Sequence, residues 1–241
     1  MNQYNKIYKQ YTESNLFSIL RKYSEEPSFK KHIGNVKGLK ILDIACGNGN
    51  YTRSLKKLGA KKIIGIDISE KMLELAKESE HKKPLGIHYL KFDALNLPKI
   101  DNFDIVTAFW LLHYAKTKNI LEKFCKNIYD NLKKDGRFFT ILPNPKNPDL
   151  DSKKYGIKIK TKNLNQDGSL RTITYFDNQG KEFCFFNNYH WKKRTYENAL
   201  KNAGFKKIKW LKPTISPAGI KKIGKEFWKD KIYFTIIECY K

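Results

Sequence analysis

The sequence predicts an α/β fold, a mostly parallel sheet with helices on both faces, and three observations carry that prediction. From Lys40 to Leu142 short apolar runs alternate with amphipathic helical stretches. A Gly47-x-Gly49 turn directly follows the first run. Acids stand at or near the ends of the first three runs, at Asp43, Asp67 and Asp93. The 241 residues suit one large domain or a domain with an insert. With 40% hydrophobic and 14% aromatic residues the chain can bury a full core, which excludes a disordered polymer.

A polar, aromatic helix is expected first, over Asn5 to Tyr23, with Tyr4, Tyr8 and Tyr11 spaced to form one stripe. The core strands read as Lys40–Ala45, Lys62–Asp67, Ile87–Phe92, Phe103–Phe109 and Arg137–Leu142. The helices between them read as Tyr51–Leu58, Glu70–Glu80 and Thr117–Leu132, with Gly136 suited to a left-handed turn after the last. Pro143 to Pro148 stops the alternation. Lys158–Lys162, Leu170–Phe176 and Glu182–Phe186 then read as antiparallel strands, with a hairpin turn at Asp177 to Gly180. Tyr175, Phe176, Phe183, Phe185 and Phe186 would give this insert an aromatic face for a flat acceptor. The alternation resumes with a helix capped by Thr195 and closed by Gly204, a strand Phe205–Leu211, a helix Ala218–Lys229 and a strand Ile232–Tyr240.

Lys plus Arg number 48 against 24 Asp plus Glu, a net charge of +24 that by itself suggests an anionic partner. Arginine, however, occurs only at Arg21, Arg53, Arg137, Arg171 and Arg194, leaving 43 lysines. Specific nucleic-acid recognition favours the guanidinium fork, so the charge reads as solvated surface that at most draws in an anionic acceptor. No apolar run reaches the 18 residues a membrane span needs, and the first residues lack a signal-peptide plan, so a cytoplasmic location is expected. Cys46, Cys125, Cys184 and Cys239 are far apart and form no metal-ligand spacing, so neither a metal nor a disulfide is expected.

In Ile41 to Thr52 the glycines let a ligand approach the backbone at a helix N-terminus. Asp67 follows Gly49 by 18 residues, the distance at which an acid reaches both hydroxyls of an adenosine ribose. Adenosine ligands in general fit so far. A dinucleotide is disfavoured, because Thr52 replaces the third glycine and the Asp43 carboxylate would repel a pyrophosphate while suiting an ammonium.

The run Leu42-Asp-Ile-Ala-Cys-Gly-Asn-Gly49, then Gly65-Ile-Asp-Ile-Ser69, Phe92-Asp93-Ala-Leu95, Phe103-Asp104 and Leu111-Leu-His-Tyr114, resembles a class I S-adenosylmethionine-dependent methyltransferase over about residues 38–145. Thr195 to Phe205 continues the likeness. The resemblance implies a Rossmann-like, seven-stranded sheet whose last strand is antiparallel. It implies one domain over 1–241, with a lid helix region at 1–36, a cofactor-binding core at 37–142, an antiparallel substrate cover at 143–190 and completion of the sheet at 191–241. S-adenosylmethionine would be the cofactor. Asp43 and the loop of Ala45, Gly47 and Gly49 would hold its methionine portion, Asp67 the ribose hydroxyls with Ile68 and Met72 alongside, Asp93 the adenine amino group with Ala94 beside it, and Phe109 or Trp110 the methionyl side, with Tyr8 closing over them. Ala45 stands where such families usually carry glycine, and an ordinary negative φ is expected there. Cys46 reads as a packed small residue rather than a nucleophile.

The whole-length pattern is most similar to the small-molecule branch containing the toxoflavin-pathway N-methyltransferases, which act on an azapteridine. Tyr4, Tyr11, Pro84 to Ile87, Asn187-Asn-Tyr189, Ser216-Pro-x-Gly219 and Phe227-Trp228 carry that likeness. N- or O-methylation of a small heteroaromatic metabolite is therefore expected. Methyl transfer mainly requires alignment of the acceptor and exclusion of water. If the acceptor carries a proton, His113, Tyr114 and Tyr189 are the candidate bases, with His190 near them. The rivals are an RNA methyltransferase, against which the Phe109-Trp-Leu-Leu run lacks the Asn-Pro-Pro-Tyr type signature, and a non-catalytic nucleotide-binding protein.

Overall fold

A computed structural model describes residues 3–13, 20–146, 149–153, 156–177, 179–230 and 233–241. Strands β1 (Lys40–Ile44), β2 (Lys62–Asp67), β3 (His88–Lys91), β4 (Phe103–Thr107), β5 (Leu132–Pro143), β10 (Lys206–Leu211) and β11 (Phe234–Tyr240) form one sheet in the order β10-β11-β5-β4-β1-β2-β3. β1 to β5 pair in parallel, and β11 runs antiparallel to both neighbours. Their apolar runs are continuous because both faces are covered; β2 is buried from Ile63 to Asp67. Two separate apolar clusters result, one containing Ile41, Ile63 and Phe139 and the other Leu42, Ile66 and Phe138.

Helices α1 (Tyr4–Glu13), α2 (Glu26–Ile33, entered through a π turn at Arg21–Glu25), α3 (Asn50–Lys57), α4 (Glu70–Lys82), α5 (Lys118–Asp130), α6 (Lys193–Ala203), α7 (Pro217–Ile223) and α8 (Lys225–Asp230) complete the layers. Ser69 caps α4 and Thr117 caps α5, each accepting a backbone N–H three residues on. The expected helix over Asn5–Tyr23 crosses residues 14–19, which lie outside the described residues, as does the Tyr11 side chain.

Several local expectations are corrected. Asp135, not Gly136, takes the left-handed conformation after α5 (φ 60°). Gly136 instead serves close packing, since a Cβ there would meet the Lys133 carbonyl at 2.9 Å. Thr195 sits inside α6, whose N-cap is Lys192, and its hydroxyl donates to Asp167 at 2.6 Å. The helix expected over Ala218–Lys229 breaks at Gly224, with φ 96°.

The insert is a four-stranded antiparallel sheet, β6 (Leu150–Ser152), β7 (Ile157–Thr161), β8 (Ser169–Phe176) and β9 (Glu182–His190), in sequential order. The short β6 was not legible, and β9 runs four residues beyond the expected Phe186. Strand alternation splits the expected aromatic face: Tyr175 and Phe186 are buried, whereas Phe183 and Phe185 are exposed. β9 lies against α1 and the 3₁₀ turn Leu112–Tyr114, so the insert stands over the carboxyl ends of the parallel strands.

Candidate active site

Strand order reverses between β1 and β4, which places the mouth of the sheet at the loop after β1. A cavity of about 580 Å³ opens there, within the range of small-molecule sites. Asp43, Ala45, Gly47, Asp67, Ile68 and Met72 line it from the first two strands and their helices. Asp93, Ala94, Phe109, Trp110 and Tyr114 line it from the next two.

The three acids are held differently. Asp43 is buried, and its two oxygens accept the hydroxyls of Thr52 at 2.6 Å and Thr107 at 2.7 Å. Burial pushes its carboxyl up to about 6 against those hydrogen bonds. Asp67 accepts the Gly47 N–H at 2.8 Å on one oxygen and the Ser69 N–H at 2.8 Å on the other. Burial raises it too, while the backbone donors pull it down. Asp93 starts the 3₁₀ turn Ala94–Asn96 and accepts the Leu95 N–H at 2.9 Å. Each carboxylate keeps lone pairs beyond these bonds for a ligand.

Glycine geometry shapes the loop. Gly47 has φ 55°, and the space its Cβ would take is open. Gly49 caps α3 at φ 80°, where a Cβ would collide with the Tyr89 ring; it shapes the turn and does not itself line the cavity. Ala45 has φ 57°, so the ordinary negative φ expected of it is overturned: the chain must turn left-handed to bring the Cys46 N–H to the Ile66 carbonyl at 2.9 Å. Trp110 is also left-handed, at φ 58°. Cys46 lines the cavity as a thiol, its pKa raised well above the ordinary value by burial and then by Asp43 and Asp67.

Among the candidate bases only Tyr114 lines the main cavity. Burial raises its phenol, which bonds the Tyr4 hydroxyl. His113 points into a second cavity of about 40 Å³ beneath the insert, where burial and then the Arg171 charge hold its imidazole neutral. Tyr189 lines neither cavity, because the alternation of β9 turns Asn188 inward in its place. His190 is buried, and lowered chiefly by burial. Tyr8 lies beside Lys71; from α1 it is Tyr4, with Gln3 before the helix, that reaches the cavity.

The sequence profile described as "Methyltransferase domain" matches residues 41–136. The chain is 31% identical over 194 residues to a demethylmenaquinone methyltransferase of Lactococcus lactis, covering 76% of this chain and 71% of that protein. The chain belongs to the class I S-adenosylmethionine-dependent methyltransferases. This methyltransferase is also 32% identical over 105 residues to ubiquinone biosynthesis O-methyltransferases of Coxiella burnetii, 43% of each chain. In fold it matches an S-adenosylmethionine-dependent methyltransferase structure from Mesorhizobium loti, with TM-score 0.66 at 23% identity over 90% of this chain and 97% of that one. The donor set fits the cofactor of such a methyltransferase: acids at three strand ends, and open space at the Gly47 Cα where the cavity meets the loop.

Sequence reasoning missed Gln3, Arg21, Tyr51 and Lys116 as lining residues of the methyltransferase cavity. Arg21 lies 4.9 Å over the Tyr51 ring, and the Tyr51 hydroxyl donates to the buried Glu25. Scarcity was the usable signal for Arg21, one of only five arginines. Among the described residues no helix is long and apolar enough to cross a membrane, and no group of three or more metal-ligating side chains gathers.

Proposed function

We propose that this enzyme methylates a nitrogen or oxygen of a small, flat, heteroaromatic metabolite seated between the cofactor cavity and the inserted sheet. One observation carries the proposal: the 40 Å³ cavity under the insert shares Tyr4, Trp110 and Tyr114 with the main cavity, so aromatic side chains bridge the two. The names of the quinone-pathway relatives are consistent with a small ring acceptor.

When bound, S-adenosylmethionine supplies a methyl group on a sulfonium. In the proposed arrangement Asp67 takes the ribose hydroxyls, with Ile68 and Met72 alongside, and Asp93 takes the adenine amino group beside Ala94. Asp43 and the loop from Ala45 to Asn48, its turn shaped by Gly49, meet the methionine portion, and Phe109 and Trp110 wall its reactive side. Protein work is then alignment and exclusion of water. Trp110, Tyr114 and the buried face of the insert orient a flat acceptor. His113, held neutral, can accept a hydrogen bond from the acceptor but retains a proton poorly.

A radiolabelled methyl-transfer screen against a metabolite extract and total RNA in parallel tests this reading. Label in the small-molecule fraction is expected; label in RNA alone would overturn it.

A further inference from the structure

The inserted sheet contains a charge that nothing in the fold explains. Arg171 lies on the buried row of β8 between Ser169 and Ile173, at 2% exposure. Its Nε and Nη1 have no hydrogen-bond partner, and among the described residues no carboxylate forms a salt bridge with it, Asp149 attracting it only from a greater distance. The guanidinium nevertheless stays protonated, lowered by burial only to about 10. An unpaired buried cation is among the most unfavourable groups a fold can carry.

The surroundings of Arg171 share the defect. Asn188 stands directly across the β8–β9 ladder from it, and its Oδ1 is also unpartnered. The His113 Nδ1 is a third orphan. All three side chains line the same 40 Å³ cavity, which Tyr4, Trp110 and Tyr114 join to the main one. Three unsatisfied polar groups converging on one small space mark a ligand's polar end. The space is that of two or three waters, the size of a carboxylate. Residue choice agrees: in a chain that uses lysine 43 times against five arginines, Arg53 pairs with Glu80 and Arg137 with Glu238, while Arg171 is buried and, among the described residues, forms no salt bridge, Asp149 attracting it only from a greater distance. A planar fork matches a planar carboxylate, which lysine cannot do.

We infer that the methyl acceptor carries a carboxylate, which Arg171 binds under the insert, while Asn188 accepts a neighbouring N–H or O–H of the same molecule. The inference rests on the small-molecule reading above and narrows it. The net charge of +24 then steers an acidic acceptor toward the cavity, and Arg171 selects it.

Benzoate and benzamide are matched probes, equal in size and shape but differing in charge. Calorimetric titration of protein loaded with S-adenosylhomocysteine should show benzoate binding at least tenfold more tightly than benzamide. In Arg171→Met the preference should vanish, S-adenosylhomocysteine affinity should stay within twofold, and the melting temperature of the ligand-free protein should rise by a few degrees as the unpaired charge is removed. Equal binding of the two probes, binding of neither, or a lower melting temperature in Arg171→Met would each overturn the inference. Arg171→Gln, shorter but polar and uncharged, keeps the binding arm readable should the methionine variant fold poorly. Failure of the parent protein to bind S-adenosylhomocysteine would instead sink the cofactor arrangement, so the two failures are distinguishable.

Discussion

The Asp67 carboxylate, at the end of β2, accepts the backbone N–H of Gly47, in the loop after β1, at 2.8 Å. One side chain therefore both shapes the glycine loop and faces the cavity. A hydrogen bond to a charged group is worth about 1.5–3 kcal/mol. Asp67→Ala should weaken S-adenosylmethionine binding by roughly tenfold to a hundredfold and lower the melting temperature of the ligand-free protein. Calorimetric titration and thermal melting check the two arms. Unchanged affinity would remove Asp67 from the site, and lost affinity at unchanged stability would deny it the loop-shaping role.

Ala45 sits at φ 57° without the freedom of glycine. A left-handed L-residue costs roughly 1–2 kcal/mol, of which the extra unfolded-state entropy of glycine offsets about 0.5–1. Ala45→Gly should stabilise the protein by about 0.5–1 kcal/mol in urea unfolding, and Ala45→Val should destabilise it. A less stable glycine variant would contradict the strain.

Asp43 titrates near 6 because it is buried, although two threonine hydroxyls support its ionised form. The folded state thus holds this proton more tightly than the unfolded chain, whose aspartate titrates near 3.9. Its contribution is fully present below about pH 4 and is lost as pH rises to about 6. Wild-type stability relative to Asp43→Asn should therefore fall by on the order of 2–3 kcal/mol across that window. A cationic ligand favours the ionised carboxylate, so S-adenosylmethionine affinity should climb as pH rises through about 6. Denaturant unfolding and binding at pH 4, 5, 6 and 7 give both curves; a pH-independent difference would assign the pKa wrongly.

The N-terminal helix ties the insert to the core. Gln3 donates its side-chain amide to the Asn187 carbonyl at 3.0 Å, Tyr4 bonds Tyr114, and Asn5 accepts the Ser69 hydroxyl at 2.6 Å. Deleting residues 1–12 should weaken cofactor binding and reduce turnover while leaving the sheet folded. Unchanged affinity and turnover in the truncated protein would remove the lid role from this helix.

The parallel core and its acids were legible because each depends on short-range pattern. Strands buried on both faces must be mostly apolar, as β1 and β2 are, and acids that face a cavity at the mouth of the sheet must lie near strand ends, as Asp67 and Asp93 do. Local turn chemistry was less legible. Left-handed φ fell on Ala45, whose side chain does not announce it, where the next residue's N–H bonds the Ile66 carbonyl on β2, and on Asp135 rather than on the neighbouring glycine.

By itself the sequence determined the α/β class and the acids near the strand ends, since periodicity and spacing encode them along the chain, while the methyl-donor family was legible only through the resemblance of its ordered motifs. Only the tertiary structure decided which side of β9 faces inward, so that Asn188 and not Tyr189 lines the cavity under the insert. It alone brought Arg171, Asn188 and His113 together, from β8, β9 and the turn after β4, and left the Arg171 Nε and Nη1, the Asn188 Oδ1 and the His113 Nδ1 without hydrogen-bond partners among the described residues. A basic count of +24 says nothing of where one charge is buried; that depends on contacts 58 residues apart in sequence between His113 and Arg171, which no local pattern records.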